Sequence, residues 1–181
     1  MKKRLDVTIP NRHPAARIAC GFMALSAIVR LWHYLSAPMD ALTLWVHVVM
    51  PVSAAVIFLL GVLRGGRAAK TAAVAATALG VAFFIIKAAE FTPVHRTLCT
   101  ILYVTVLILF SSTLLGLVPT KKLLYPLFGL PLVYHILVED TQLYFFANPP
   151  VPVWYWMPEI SVLCIMAALL CLSVSLKTKK L

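Results

Sequence analysis

Six apolar runs, each close to the length that crosses a bilayer, follow one another along this chain with only short breaks between them: 18–36, 41–62, 71–89, 98–118, 123–139 and 159–176. A helix needs about 20 apolar residues to span a hydrocarbon core. Lipid offers no partner to a bare peptide group, so runs of this kind fold as helices that satisfy their own backbones. The sequence therefore predicts an all-α, polytopic membrane protein: a bundle of six transmembrane helices in one domain over 18–176, with a basic arm at 1–17 and a basic tail at 177–181. Of 181 residues, 62% are apolar and 12% charged, against about 45–50% and about 25% in soluble domains. A mean hydropathy of +0.95 leaves no water-facing shell, and six spans leave no room for a second, soluble domain. Any site is thus built from helices or their connections. The first run follows a long polar arm and contains Arg30 and His33, which separates it from a cleavable signal peptide.

Basic residues set the expected orientation, because Lys and Arg close to span ends are retained in the cytoplasm. With the N-terminus inside, 13 of the 16 Lys and Arg fall on the inner side, while Asp40, Glu90, Glu139, Asp140 and Glu159 fall outside and only Asp6 inside. Both termini are therefore expected to be cytoplasmic and the loop 140–158 external, in the plasma (inner) membrane of a bacterium. The net charge of +10 is spread over four inner segments, so it reads as a topology signal that meets anionic headgroups and not as a nucleic-acid surface. Cys20, Cys99, Cys164 and Cys171 lie in or at the ends of apolar runs without a Cys-x-x-Cys pair, and are expected to be buried thiols.

Within the spans, ionisable residues gather at one level. Such a group costs at least about 2.5–3.5 kcal/mol at the centre of a membrane helix. Arg30 and His33, His47, Lys87 and Glu90, and His135 and Glu139 all fall in the outer halves of their runs. The pairs are spaced three or four apart, so each shares a helix face. The inner halves hold mainly Ser111, Ser112 and Thr113, hydroxyls that can bond back to their own helices. Pro51 removes the donor for the carbonyl of His47, and Pro131 that for Leu127. Interrupted helices at matching places in two halves, here spans 1–3 against 4–6, are a pointer to inverted-repeat transporters. The external loop is dense in aromatics and prolines, and Trp154 and Trp156 in it suit either an interfacial belt or a lid over the site. Every fourth residue of the third run is small (Ala68, Ala72, Ala76, Gly80), which lets a neighbouring helix approach closely.

Three functions fit these features. The first is a small-solute transporter, or the membrane-embedded substrate-binding subunit of one. Its polar outer site would be formed by Arg30, His33, His47, Glu90, His135, Glu139, Trp154 and Trp156. The outer charges sum to −2, so a neutral, zwitterionic or cationic ligand is expected over a polyanion. The second is a metal- or haem-binding membrane enzyme or redox protein with His47, His135 and Glu139 as ligands. The third is a structural or assembly subunit of a larger membrane complex, and a partner subunit or a homo-oligomer is compatible with all three. No phosphate-binding glycine loop, zinc-protease motif or nucleophile elbow occurs, which weighs against an enzyme. No cofactor is specified by the sequence.

Overall fold

The computed structural model describes residues 5–10, 12–36, 38–90, 94–117, 133 and 157–180. In chain order its elements are β1 (Leu5–Thr8), α1 (Pro14–Leu35), α2 (Ala41–Arg64), α3 (Gly66–Glu90), α4 (Val94–Leu114), α5 (Met157–Ser175) and β2 (Lys177–Lys180). The fold is all-α apart from the two short strands. Pro14–Leu35, Ala41–Arg64 and Gly66–Ile86 are long and apolar enough to cross a membrane, and Thr100–Leu114 and Ile160–Ser175 are shorter apolar stretches. By helix length and composition the chain is a membrane protein. The expected span at 123–139 lies outside the described residues except for Val133.

Local chemistry sets the helix ends, and it moves several of them from the hydropathy limits. α1 begins at Pro14, not at residue 18, because His13 caps it: its Nδ1 accepts the Ala15 N–H at 3.2 Å, and Pro14 fills the first helical position. α2 begins where Asp40 accepts the Thr43 N–H at 2.9 Å and the Thr43 hydroxyl at 2.6 Å. It then widens into a π turn over Trp45–Val49, where the Met50 N–H donates to the Trp45 carbonyl, and runs on through Pro51. Gly65 and Gly66, at φ 73° and 59°, supply the left-handed backbone that reverses the chain directly into α3. α4 stops at Leu114, short of residue 118. Gly116 (φ 74°) closes it, with its N–H on the Thr113 carbonyl at 3.0 Å and the Leu117 N–H on the Ser112 carbonyl at 2.9 Å, the paired bonds of a glycine-terminated helix.

The helices form successive antiparallel neighbours: α1 packs on α2, α2 on α3 and α3 on α4, while α5 returns to lie against α1. Phe58, Phe110, Leu114, Met166, Leu169 and Leu172 fill the centre. The exterior is apolar. Ile18, Leu25, Ile28, Trp32 and Leu35 face outward along α1, with Trp32 69% exposed, while Arg30 on the same helix is 1% exposed. A row of large apolar side chains outside with the charge turned inward suits a lipid surrounding.

Small residues act at one crossing of α2 and α3. A Cβ placed on Gly61 would stand 2.0 Å from the Cβ of Ala72 and 3.2 Å from the Ala68 carbonyl oxygen, so Gly61 allows the two backbones to meet at the expected stripe. Farther along, Gly80 faces Leu107 of α4. The hydroxyls of the inner half bond as expected for apolar helices: Thr113 donates to the Leu109 carbonyl at 2.9 Å and Thr77 to the Ala73 carbonyl at 3.0 Å. Ser111 instead meets Thr77 across the α3–α4 contact. Cys20, Cys164 and Cys171 are free thiols packed in the bundle, half-buried or buried.

The sequence reading keeps the arm 1–17 and the tail 177–181 apart; the structure joins them. β1 and β2 pair antiparallel, with Leu5 opposite Lys180, Asp6 opposite Lys179, Val7 opposite Thr178 and Thr8 opposite Lys177. Val7 and Ile9 are buried in the core cluster with Leu114 and Leu176. The pair therefore closes the end of the bundle at which α1 starts and α5 finishes.

Candidate functional site

Arg30 organises the opposite end. It sits one and a half turns before the end of α1, 1% exposed, and its planar guanidinium is a permanent cation with five N–H donors and no acceptor. Its Nε–H donates to Ser161 Oγ of α5 at 3.1 Å, and Ser161 shares a second hydrogen bond with Ser26 Oγ, one turn earlier on α1, at 2.8 Å. Nη1 donates to the His47 carbonyl at 3.1 Å. That carbonyl has no α-helical donor because Pro51 has no N–H, so a cation from α1 takes the place of the missing backbone bond. The π turn around His47 belongs to the same break. Irregular backbone at this depth is tolerated where it faces protein or a polar cavity.

Aromatic rings wall the cation in. The guanidinium carbon lies 5.1 Å from the Phe83 ring centre and 6.0 Å from that of Tyr34, within reach of the negative ring faces. Tyr34 and His47 stack at 5.4 Å with 22° between planes, and the Tyr34 hydroxyl meets His47 Nδ1 at 3.3 Å. The series continues from His47 to Phe83 at 6.1 Å, Phe83 to Phe84 at 5.3 Å and Phe84 to Tyr103 at 4.9 Å, reaching α4. His33 stands at 4.8 Å edge-on to Tyr34. The rings come from four helices, and with Ser161 of α5 all five helices of the described residues contribute to one contiguous group.

Below the cation, toward the bundle centre, lies an apolar cavity of about 40 Å³ bordered by Pro51, Phe58, Thr77, Gly80, Phe83 and Leu169. At roughly 10–15 Å³ per water it has space for a few small molecules the size of water. A drug-sized ligand needs about 300–1,000 Å³, so a solute of that size requires the helices around Pro51 and Phe83 to part.

Of the residues that the sequence singles out, the structure brings Arg30, His33 and His47 together around Tyr34. Glu90 is the last residue of α3, two turns beyond Phe83, with its side chain outside the described residues, and His135, Glu139, Trp154 and Trp156 lie outside them altogether. The metal reading on His47, His135 and Glu139 therefore has only His47 in view. Among the described residues, no three His, Cys, Asp or Glu side chains are grouped to hold a metal ion. Ser26, Ser161, Tyr34 and Phe83 belong to the site and escape the sequence reading. Ser26 and Tyr34 carried a signal, standing four residues before and four after Arg30 and so on its face. Ser161 and Phe83 come from distant helices, and only tertiary packing brings them in.

The fold and site define a helical membrane protein with a buried, aromatic-walled arginine centre. No family model, no curated protein and no solved structure matches the chain.

Proposed function

We propose that the chain is a small-solute membrane transporter, or the membrane-embedded substrate-binding subunit of one, and that it works from a polar site in the outer half of a six-helix bundle. The observation that carries this reading is the Arg30–His47 contact. A permanent charge buried between helices is bound to a backbone carbonyl exposed by a π turn and a proline. Broken helices whose freed backbone groups face the centre of the bundle are a recurring device of membrane transporters, and a π bulge within a helix often marks a functional position. The hinge-like break beside the cavity gives the site a means of opening.

On this reading Glu90, His135 and Glu139 complete the polar group, and Trp154 and Trp156 cover it from the external loop. Glu139, or else Glu90, supplies a carboxylate to Arg30. Both termini are cytoplasmic, the membrane is a bacterial plasma membrane, and the ligand is neutral, zwitterionic or cationic. A partner subunit or a second copy would supply the energy coupling that the chain itself shows no motif for.

Thermal stabilisation in detergent tests this directly. A panel of neutral sugars, amino acids, quaternary amines and polyphosphates is screened against the wild type and Arg30→Met. At least one solute from the first three groups is expected to raise the melting temperature of the wild type and leave Arg30→Met unmoved. Stabilisation by polyphosphate alone, lost at high salt, would contradict the proposed ligand class.

A further inference from the structure

The cavity beside Pro51 and Phe83 has a chemistry of its own, distinct from the polar group above it. It opens where α2 and α3 both withhold side chains: Pro51 and the π turn interrupt α2, and the positions bordering the gap carry Ala54 on α2 and Ala76 and Gly80 on α3. The other walls are large and apolar, with Met23 of α1, Phe58 of α2, Leu107 of α4 and Leu169 of α5 among them. Thr77 is the one polar side chain in this lining among the described residues, and its hydroxyl is taken up by the carbonyls of Ala73 and Val74, at 3.0 and 2.9 Å, and by the Ser111 hydroxyl. A buried water needs two to four polar partners, whereas an apolar cavity stays dry and takes apolar guests. At roughly 10–15 Å³ for each water-sized sphere, about 40 Å³ holds three or four heavy atoms. The cavity is not sealed, and it lies among helices long and apolar enough to cross a membrane. The surrounding medium is therefore hydrocarbon, in which small apolar molecules concentrate. A molecule in the cavity touches Pro51 and Phe83 together, and the Phe83 ring stands 5.1 Å from the Arg30 guanidinium carbon and 6.1 Å from the His47 ring.

We propose that this cavity binds small uncharged apolar molecules of about three or four heavy atoms, taken from the bilayer interior, and that the bound molecule braces the break in α2 by filling the space between Pro51 and Phe83. The brace acts on the same turn whose carbonyl Arg30 holds. This inference does not depend on the transport reading, since it needs neither a solute pathway nor a ligand at Arg30.

The test places the full chain in detergent and in phosphatidylcholine nanodiscs, with xenon and cyclopropane as probes and side-chain methyl resonances as reporters. Both probes are expected to shift the methyls of Ile165 and Leu107, which border the cavity, in a saturable way, and to leave the exposed Ile28 with only a linear drift. Cyclohexane, too large, and acetamide, polar, should produce no saturable shift. Ala54→Leu and Ala76→Leu fill the cavity from opposite walls, and each folded variant should lose the saturation. The Met50 amide donates to the Trp45 carbonyl within the π turn. With xenon at about ten times its dissociation constant, exchange of that amide should slow about tenfold, while exchange at Thr105 on α4 stays the same. Equal linear shifts at Ile165 and Ile28, saturation by cyclohexane or acetamide, saturation that survives in a folded filled variant, or unchanged exchange at Met50 would each overturn the proposal. Binding in detergent that disappears in nanodiscs would overturn it too, by showing that lipid chain ends already occupy the cavity.

Discussion

Two side chains at opposite extremes of exposure show how single residues govern this protein. Arg30 is buried and bound to neutral partners that face it from α2 and α5. Hydrogen bonds to a charged group contribute about 1.5–3 kcal/mol each. Ser161→Ala removes the acceptor for Nε and the partner of Ser26 together, and is expected to lower the unfolding free energy in detergent by about 2–3 kcal/mol; a loss below 0.5 kcal/mol, on the order of a neutral surface change, would show that the Arg30 contact is dispensable. Pairing Arg30→Met with Glu139→Gln in a double-mutant cycle tests the proposed carboxylate, with less-than-additive losses expected if the two interact. Asp40, fully exposed at the start of α2, has its pKa lowered by the hydrogen bonds from the Thr43 hydroxyl and N–H. A depressed carboxylate stabilises the folded state above its unfolded pKa and loses that effect as pH falls through the folded value. The first turn of α2 should therefore loosen in acid, seen as faster amide exchange at Thr43, and Asp40→Asn should remove that acid dependence.

At the scale of elements, the α2–α3 crossing rests on a missing side chain. Gly61→Ala places a methyl 2.0 Å from the Ala72 Cβ, a clash with another helix and not with a flexible tip. Overpacking of this kind costs about 1–3 kcal/mol. The double variant Gly61→Ala, Ala72→Gly should recover part of the loss, as measured by thermal unfolding. Gly80→Ala meets only the end of Leu107 at 3.2 Å, where a rotamer change can relieve it, so its effect should be clearly smaller. Equal losses at the two glycines would show that the α2–α3 approach is not set by Gly61. The stripe Ala68, Ala72, Ala76 and Gly80 was legible as a close-packing face from its spacing alone. That Ala72 meets Gly61, whereas Gly80 meets Leu107, depended on how α3 is rotated between its two neighbours, which spacing does not encode.

For the molecule as a whole, the parity of crossings is the property to measure. β1 and β2 pair at one end, which fits an even number of spans and the six-helix proposal. Single cysteines placed at 5, 67, 148 and 178 of a cysteine-free variant should label from outside only at 148. Labelling at 178 from outside would mean an odd number of crossings. The sequence by itself determined the class, because runs of apolar residues this long have one stable outcome in lipid, and it marked Arg30 and His47, because a buried ionisable group or an unsatisfied carbonyl is too costly to be incidental. It also marked the Pro51 break, whose effect is local and needs no knowledge of neighbours. Helix ends were less legible, since His13, Asp40 and Gly116 act through single hydrogen bonds that hydropathy does not register. Only the tertiary structure decided that Ser161 and Phe83 complete the arginine centre and that the two basic ends of the chain pair as strands. Those contacts join residues far apart in sequence, and their energy comes from geometry between elements, which no local pattern carries.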